Sequence, residues 1–201
     1  MTVVLGIVLT GLIVGIGIGL TGMGGALIMT PLLILLFGFS PTMAVGTDLI
    51  FASMTKLVGS IQHIWQRTVH LKLVLFLSLG SIPGGLLGVI SLRIIDQWFD
   101  LNIEQFLGHV LGILFIVVSM IMVVSFARRK RNTSGEKRTE EKMTLAVTLG
   151  FIGGFLVGMT SVGSGSLFMA LLFIMRSLPA REFVGTDIVH AFLLTSATGL
   201  L

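Results

Sequence analysis

The tetrapeptide VGTD occurs twice in this chain, at residues 45–48 and 184–187, each time within apolar sequence. Ionisable side chains inside a membrane are costly and often mark ion or substrate pathways. Asp187 has His190 three residues later on the same face of a predicted helix, where a carboxylate and an imidazole could relay protons. We therefore predict that Asp48, Asp187 and His190 take part in proton coupling. A static polar lock between helices is the alternative interpretation.

Two glycine-rich segments, GIGLTGMGGAL (17–27) and LVGMTSVGSGSL (156–167), interrupt helical sequence and carry hydroxyl groups. A helix break exposes backbone N–H groups at the start of the next half-helix, and these groups together with the helix dipole favour an anion. The sequence therefore predicts an anion-binding site. Its residues are expected to be Thr21, Gly24, Gly25, Thr160, Ser161 and Ser164. Close helix packing through small residues is the alternative interpretation of the same segments.

Three further residues are expected to contribute to this site. Thr47 and Thr186 belong to the two VGTD segments and would shape the site. Lys56 lies about 12 Å from Asp48 along the axis of a predicted helix, which is too far for a direct ion pair, so it could face a bound anion. A lysine whose ammonium group reaches the membrane boundary is the alternative.

The composition places these residues in a membrane protein. Hydrophobic residues make up 54% of the 201 residues and charged residues only 11%, and the mean hydropathy is +1.06. A soluble domain of this length needs more polar surface, so the chain is expected to reside in the lipid bilayer. The absence of cysteine excludes disulfides and thiolate metal sites, and no cofactor is predicted. The net charge of +4 reflects basic residues in short loops rather than a nucleic-acid partner.

Apolar stretches of suitable length predict the helical spans. They cover residues 3–20, 26–37, 41–65, 71–92, 106–126, 144–159 and 167–175, and a last helix begins near residue 181. The fourth is expected to break at Pro83, and the pair within 15–37 could cross twice or form a re-entrant hairpin. The loop 127–143 carries seven lysines and arginines, so it should be cytoplasmic, which places the N-terminus outside the cell membrane.

The chain also contains an internal repeat. A shift of 139 residues aligns 11–52 with 150–191, and thirteen of these 42 positions are identical. The predicted domains are a first transmembrane repeat at 1–126, the basic loop at 127–143 and a second repeat at 144–201, which is expected to be truncated. One unit holds an odd number of crossings, so the two repeats are expected to be inverted, as in secondary transporters. A protease pairing Ser164 with His190 is disfavoured because the repeat already explains both segments, and no enzymatic function is expected.

Several motifs resemble one known family in their order and repetition. These are AVGTDL (44–49), TKLVGSIQH (55–63), SIPGGLLG (81–88) and GFIGGFLVGMTSVGSGSL (150–167). The chain is similar to the TauE/SafE sulfite exporter family along nearly its whole length. This resemblance implies a polytopic transporter of sulfite, organosulfonates or other small anions, and proton coupling is commonly proposed for the family.

The expected fold is therefore an all-α polytopic membrane protein with an inverted-topology repeat and broken or short helices. The expected function is transport of a small-molecule anion, coupled to protons or to the membrane potential, with assembly into a homo-oligomer left open. The alternative is a channel-like or structural membrane protein in which the two aspartates lock helices together.

Overall fold

The computed structural model describes residues 2–21, 26–98, 103–128, 139–163 and 180–201. Within these ranges the fold is all-α, with seven helices and no strands. They are α1 (Thr2–Thr21), α2 (Ala26–Phe37), α3 (Pro41–Trp65), α4 (Leu71–Trp98), α5 (Ile103–Arg128), α6 (Thr139–Thr160) and α7 (Ala180–Gly199). The predicted helix at 167–175, the centre of the basic loop and three predicted site residues, Gly24, Gly25 and Ser164, lie outside the described ranges.

Apolar side chains cover the outer surface of the bundle, as a membrane protein requires. Ile13, Leu35 and Val123 are 69%, 81% and 69% exposed, which suits contact with lipid tails. Among the described helices, Pro41–Trp65 and Leu71–Ile95 are each long and apolar enough to cross a membrane by themselves.

Local sequence fixes both ends of α3. Ser40 is extended, its Oγ accepts a hydrogen bond from the Met43 amide at 3.4 Å, and Pro41 occupies the first turn. This combination of a hydroxyl cap and an early proline is favoured at helix starts. At the other end Arg67 takes a positive φ of 54°, and the chain turns directly into α4.

Helices α4 and α6 approach each other through two rows of glycines spaced four residues apart. These are Gly80, Gly84 and Gly88 on α4, and Gly150, Gly154 and Gly158 on α6. A Cβ added at any of the six would overlap backbone atoms of the opposite helix. Gly80 faces Val147 and Gly88 faces Phe155, so the two helices run parallel. This is small-residue packing of the kind found between membrane helices.

The predicted break of the fourth helix at Pro83 is wrong. Helix α4 continues through Pro83 to Trp98. Proline interrupts one backbone hydrogen bond, but a membrane helix tolerates this loss where neighbouring helices support it. The glycines around Pro83 pack against α6 instead of unwinding, which accounts for the continuous helix.

Helices α3 and α7, which carry the two VGTD segments, run antiparallel. The Oγ atoms of Ser53 and Ser196 are 2.8 Å apart, and Ser60 Oγ donates to the Ile188 carbonyl at 3.4 Å. Residue numbers along α7 therefore decrease as residue numbers along α3 increase. A buried apolar core that includes Leu49, Leu77 and Leu194 joins this pair to the neighbouring helices.

Candidate functional site

Four ionisable side chains are buried along the α3–α7 pair. Asp48, Lys56, Asp187 and His190 are 0%, 7%, 1% and 0% exposed. Because α3 and α7 are antiparallel, their aspartates lie toward opposite ends of the helix pair. Along the helix axes, Lys56 lies at a height between Asp48 and Asp187. Lys56 interacts electrostatically with both carboxylates. The structure thus brings together the predicted aspartates, lysine and histidine.

Asp48 meets the end of α6, where the helix stops inside the bundle. Helix α6 ends at Thr160, and Ser161 follows with a φ of 60°. This left-handed conformation is uncommon for a residue other than glycine and is found at functional sites. The hydroxyl of Ser161 donates to Asp48 Oδ2. The end of α6, within the second glycine-rich segment, therefore lies beside the carboxylate of the first VGTD segment.

Thr30 of α2 lies beside the same carboxylate. Its side chain is fully buried and interacts with the Asp48 carboxylate. Neither Thr30 Oγ1 nor Asp48 Oδ1 has a hydrogen-bond partner of normal geometry among the described residues. The sequence reasoning missed Thr30, although it is a single hydroxyl within an otherwise apolar stretch of α2.

His190 bonds to a serine of α4. Its Nε2 lies 2.7 Å from Ser81 Oγ, and both side chains are fully buried. The sequence reasoning also missed Ser81. Ser81 and Gly85 form a small-xxx-small pair on the face of α4 that meets α6 and α7, and that spacing was the available signal.

The remaining predicted residues have other placements. Thr160 donates to its own helix, to the Leu156 carbonyl at 2.6 Å. Thr186 donates to the Glu182 carbonyl and accepts from the His70 amide at 3.0 Å, so it ties α7 to the turn before α4. Thr47 is exposed and faces away from the buried cluster. Thr21 ends α1, and its side chain lies outside what the structure describes.

A separate cavity of about 300 Å³ lies near the start of α3 and the ends of α4 and α7. Its polar lining comes from Thr42, Arg93 and Thr198, and the rest of the lining is mainly apolar. None of the predicted site residues whose side chains the structure describes lines this cavity. Gly158 does line the cavity, so the cavity adjoins the close α4–α6 contact.

An all-α bundle with an apolar exterior and buried opposite charges defines an integral membrane protein built around an internal polar site. Comparison with known proteins makes this class specific. The model of the family "Sulfite exporter TauE/SafE" matches residues 7–201, and the chain belongs to this family. It is a membrane transporter and not an enzyme.

The curated relatives are also described as transporters. The chain is 44% identical over 198 residues to "Probable membrane transporter protein YjnA" of Bacillus subtilis, covering 97% of this chain and 77% of the relative. It is 27% identical over 218 residues to "Probable membrane transporter protein YunE" of the same organism, covering 96% and 75%. The match to "Probable membrane transporter protein MJ0441" of Methanocaldococcus jannaschii is 25% identical over 200 residues, covering 97% and 70%. No solved structure matches the chain.

Proposed function

We propose that this protein is a multi-pass carrier of small anions of the sulfite or organosulfonate type, coupled to protons or to the membrane potential. The observation that carries the proposal is the buried Lys56 between Asp48 and Asp187. A cation enclosed in a membrane protein can attract an anion strongly because the surroundings have a low dielectric constant. The family name supports sulfite as the leading example of the substrate.

The charges of this cluster provide a route to coupling. With Lys56 protonated and both carboxyl groups ionised, the three side chains carry one net negative charge, which opposes an incoming anion. Protonation of one carboxyl group removes that excess charge. Anion binding and proton uptake would then favour each other, because coupling between two ligands is reciprocal.

The antiparallel contact between α3 and α7 supports the inverted repeat. The two helices carry the same VGTD segment, and inversion requires repeat-related helices to point in opposite directions. In the proposed orientation the N-terminus is outside and the loop 127–143 is cytoplasmic. A cysteine introduced at Ser134 should then react with an impermeant maleimide only after the cells are opened, and reaction from outside intact cells would contradict this orientation. The chain has no cysteine of its own to interfere.

Flux measurements test the function. Reconstituted protein should carry radiolabelled sulfite into liposomes, and a pH gradient or a membrane potential should drive accumulation. Asp187→Asn should reduce the response to the pH gradient. If flux is intact in both Asp48→Asn and Asp187→Asn and does not respond to pH, proton coupling at these residues is wrong.

The second candidate is a channel-like or structural protein in which the aspartates lock helices together. The bond from Ser161 to Asp48 favours it, because that bond joins α6 to α3 across the bundle. A channel would show flux that follows the membrane potential without a pH effect. A structural protein would show no flux, and its aspartate variants would lose only stability.

A further inference from the structure

The Asp48 carboxylate of α3 lies beside hydroxyl groups from two other segments of the bundle. Thr30 is on α2, Asp48 is on α3, and Ser161 follows the last residue of α6. All three side chains are fully buried. Ser161 satisfies Asp48 Oδ2, whereas Oδ1 and Thr30 Oγ1 have no hydrogen-bond partner of normal geometry in the described ranges. Buried polar atoms in this position call for a ligand, since leaving them unsatisfied is costly.

The charge around these atoms selects the kind of ligand. The carboxylate carries a formal negative charge, and the end of α6 contributes the negative pole of its helix dipole. An anion is disfavoured at this place. Lys56 already places one positive charge near Asp48, and this disfavours a divalent or higher-valent cation at the site. A single monovalent cation fits both conditions and neutralises the excess negative charge of the Asp48, Lys56 and Asp187 cluster.

We infer that Asp48, Thr30 and Ser161 form a binding site for a sodium ion. Hard cations prefer carboxylate, hydroxyl and carbonyl oxygens, and the C-terminal ends of interrupted membrane helices coordinate sodium in other secondary transporters. The surroundings of Asp187 differ, because Asp187 lies near Lys56 and shares a face of α7 with His190. The inference goes beyond the proposed function, since this ion can be measured without any transported anion.

Direct binding of sodium tests this site. The full chain in detergent, in a buffer free of sulfite, should bind ²²Na⁺ saturably, and unlabelled NaCl but not KCl or choline chloride should displace it. NaCl should also raise the Tm by about 3 °C or more over choline chloride at equal ionic strength. Asp48→Asn should abolish both effects.

A matched pair of threonine variants locates the site. Thr30→Val removes one buried hydroxyl at nearly constant shape and should weaken sodium binding about tenfold or more. Thr195→Val is the control, since Thr195 is equally buried but bonds within its own helix to the Ala191 carbonyl at 2.8 Å. Sodium affinity should be unchanged in that control.

Three results would overturn the sodium site. They are the absence of saturable ²²Na⁺ binding to the unmodified protein, equal Tm values in the three salts, and unchanged affinity in Thr30→Val. Loss of sodium binding in a protein that still carries sulfite would overturn the ion site and leave the proposed function intact. Sodium binding by a protein that carries no anion would support the ion site and contradict the proposed function.

Discussion

Asp48 and Asp187 end the two VGTD segments but have different neighbours. Asp48 accepts a hydrogen bond from Ser161 and faces Thr30, whereas Asp187 shares its buried helix face with His190. The 139-residue shift aligns His190 with Phe51. The two VGTD carboxyl groups therefore lie in different chemical surroundings.

Ser81 is expected to hold His190 in place. In Ser81→Ala the buried Nε2 loses its partner, so the free energy of unfolding should fall by about 1–3 kcal/mol. Ser91→Ala is the control, because Ser91 bonds to Leu87 of its own helix. Thermal unfolding in detergent measures both variants. Equal Tm values for the two would show that the bond between Ser81 and His190 does not contribute.

Sequence reasoning identified the charged residues of this site but only part of its hydroxyl groups. Asp48, Lys56 and Asp187 stood out because a charge in apolar sequence requires a reason. Thr30 and Ser81 did not, since a threonine or serine can satisfy itself within its own helix. Whether it does so depends on how neighbouring helices are rotated. Thr47 and Thr186 show the same limit, because the threonine is exposed in the first VGTD segment and buried in the second.

At the scale of elements, the α4–α6 contact depends on the absence of side chains. The Cβ introduced by Gly154→Ala would overlap the backbone of Ser81, and backbone atoms cannot move aside as a flexible side chain can. We expect a loss of at least about 1–3 kcal/mol of stability. Gly112→Ala is the control, because nothing described lies within 4 Å of that position on α5.

Size-exclusion profiles and thermal unfolding measure this difference. Gly112→Ala should be neutral or slightly stabilising, since alanine favours helix more than glycine does. A Gly154→Ala protein as stable as Gly112→Ala would contradict the close approach of the two helices. Sequence reasoning recognised small-residue packing as one interpretation of the glycines, but it expected a break at Pro83. Composition alone does not distinguish a glycine that opens a helix from one that admits a neighbour.

At the scale of the whole molecule, α3 and α7, which carry the two VGTD segments, pair in an antiparallel arrangement. The serine pair at 53 and 196 offers a direct test, because the hydroxyl oxygens are 2.8 Å apart and the chain lacks cysteine. The double variant Ser53→Cys/Ser196→Cys should form an intramolecular disulfide on mild oxidation, since the two sulfur atoms would replace hydroxyl oxygens that are already in contact. Ser53→Cys/Ser91→Cys is the control and should remain reduced. Equal cross-linking in both would contradict the helix pairing.

The central claim is that the buried charges bind a transported anion and are more than a lock between helices. The double variant Lys56→Gln/Asp187→Asn tests this claim most directly. It removes one positive and one negative charge, so the net charge of the cluster is unchanged, and Asp48 keeps the hydrogen bond from Ser161. Radiolabelled sulfite flux into liposomes should fall at least about tenfold, while the Tm stays close to that of the unmodified protein. Flux at the unmodified level in this variant would contradict the account.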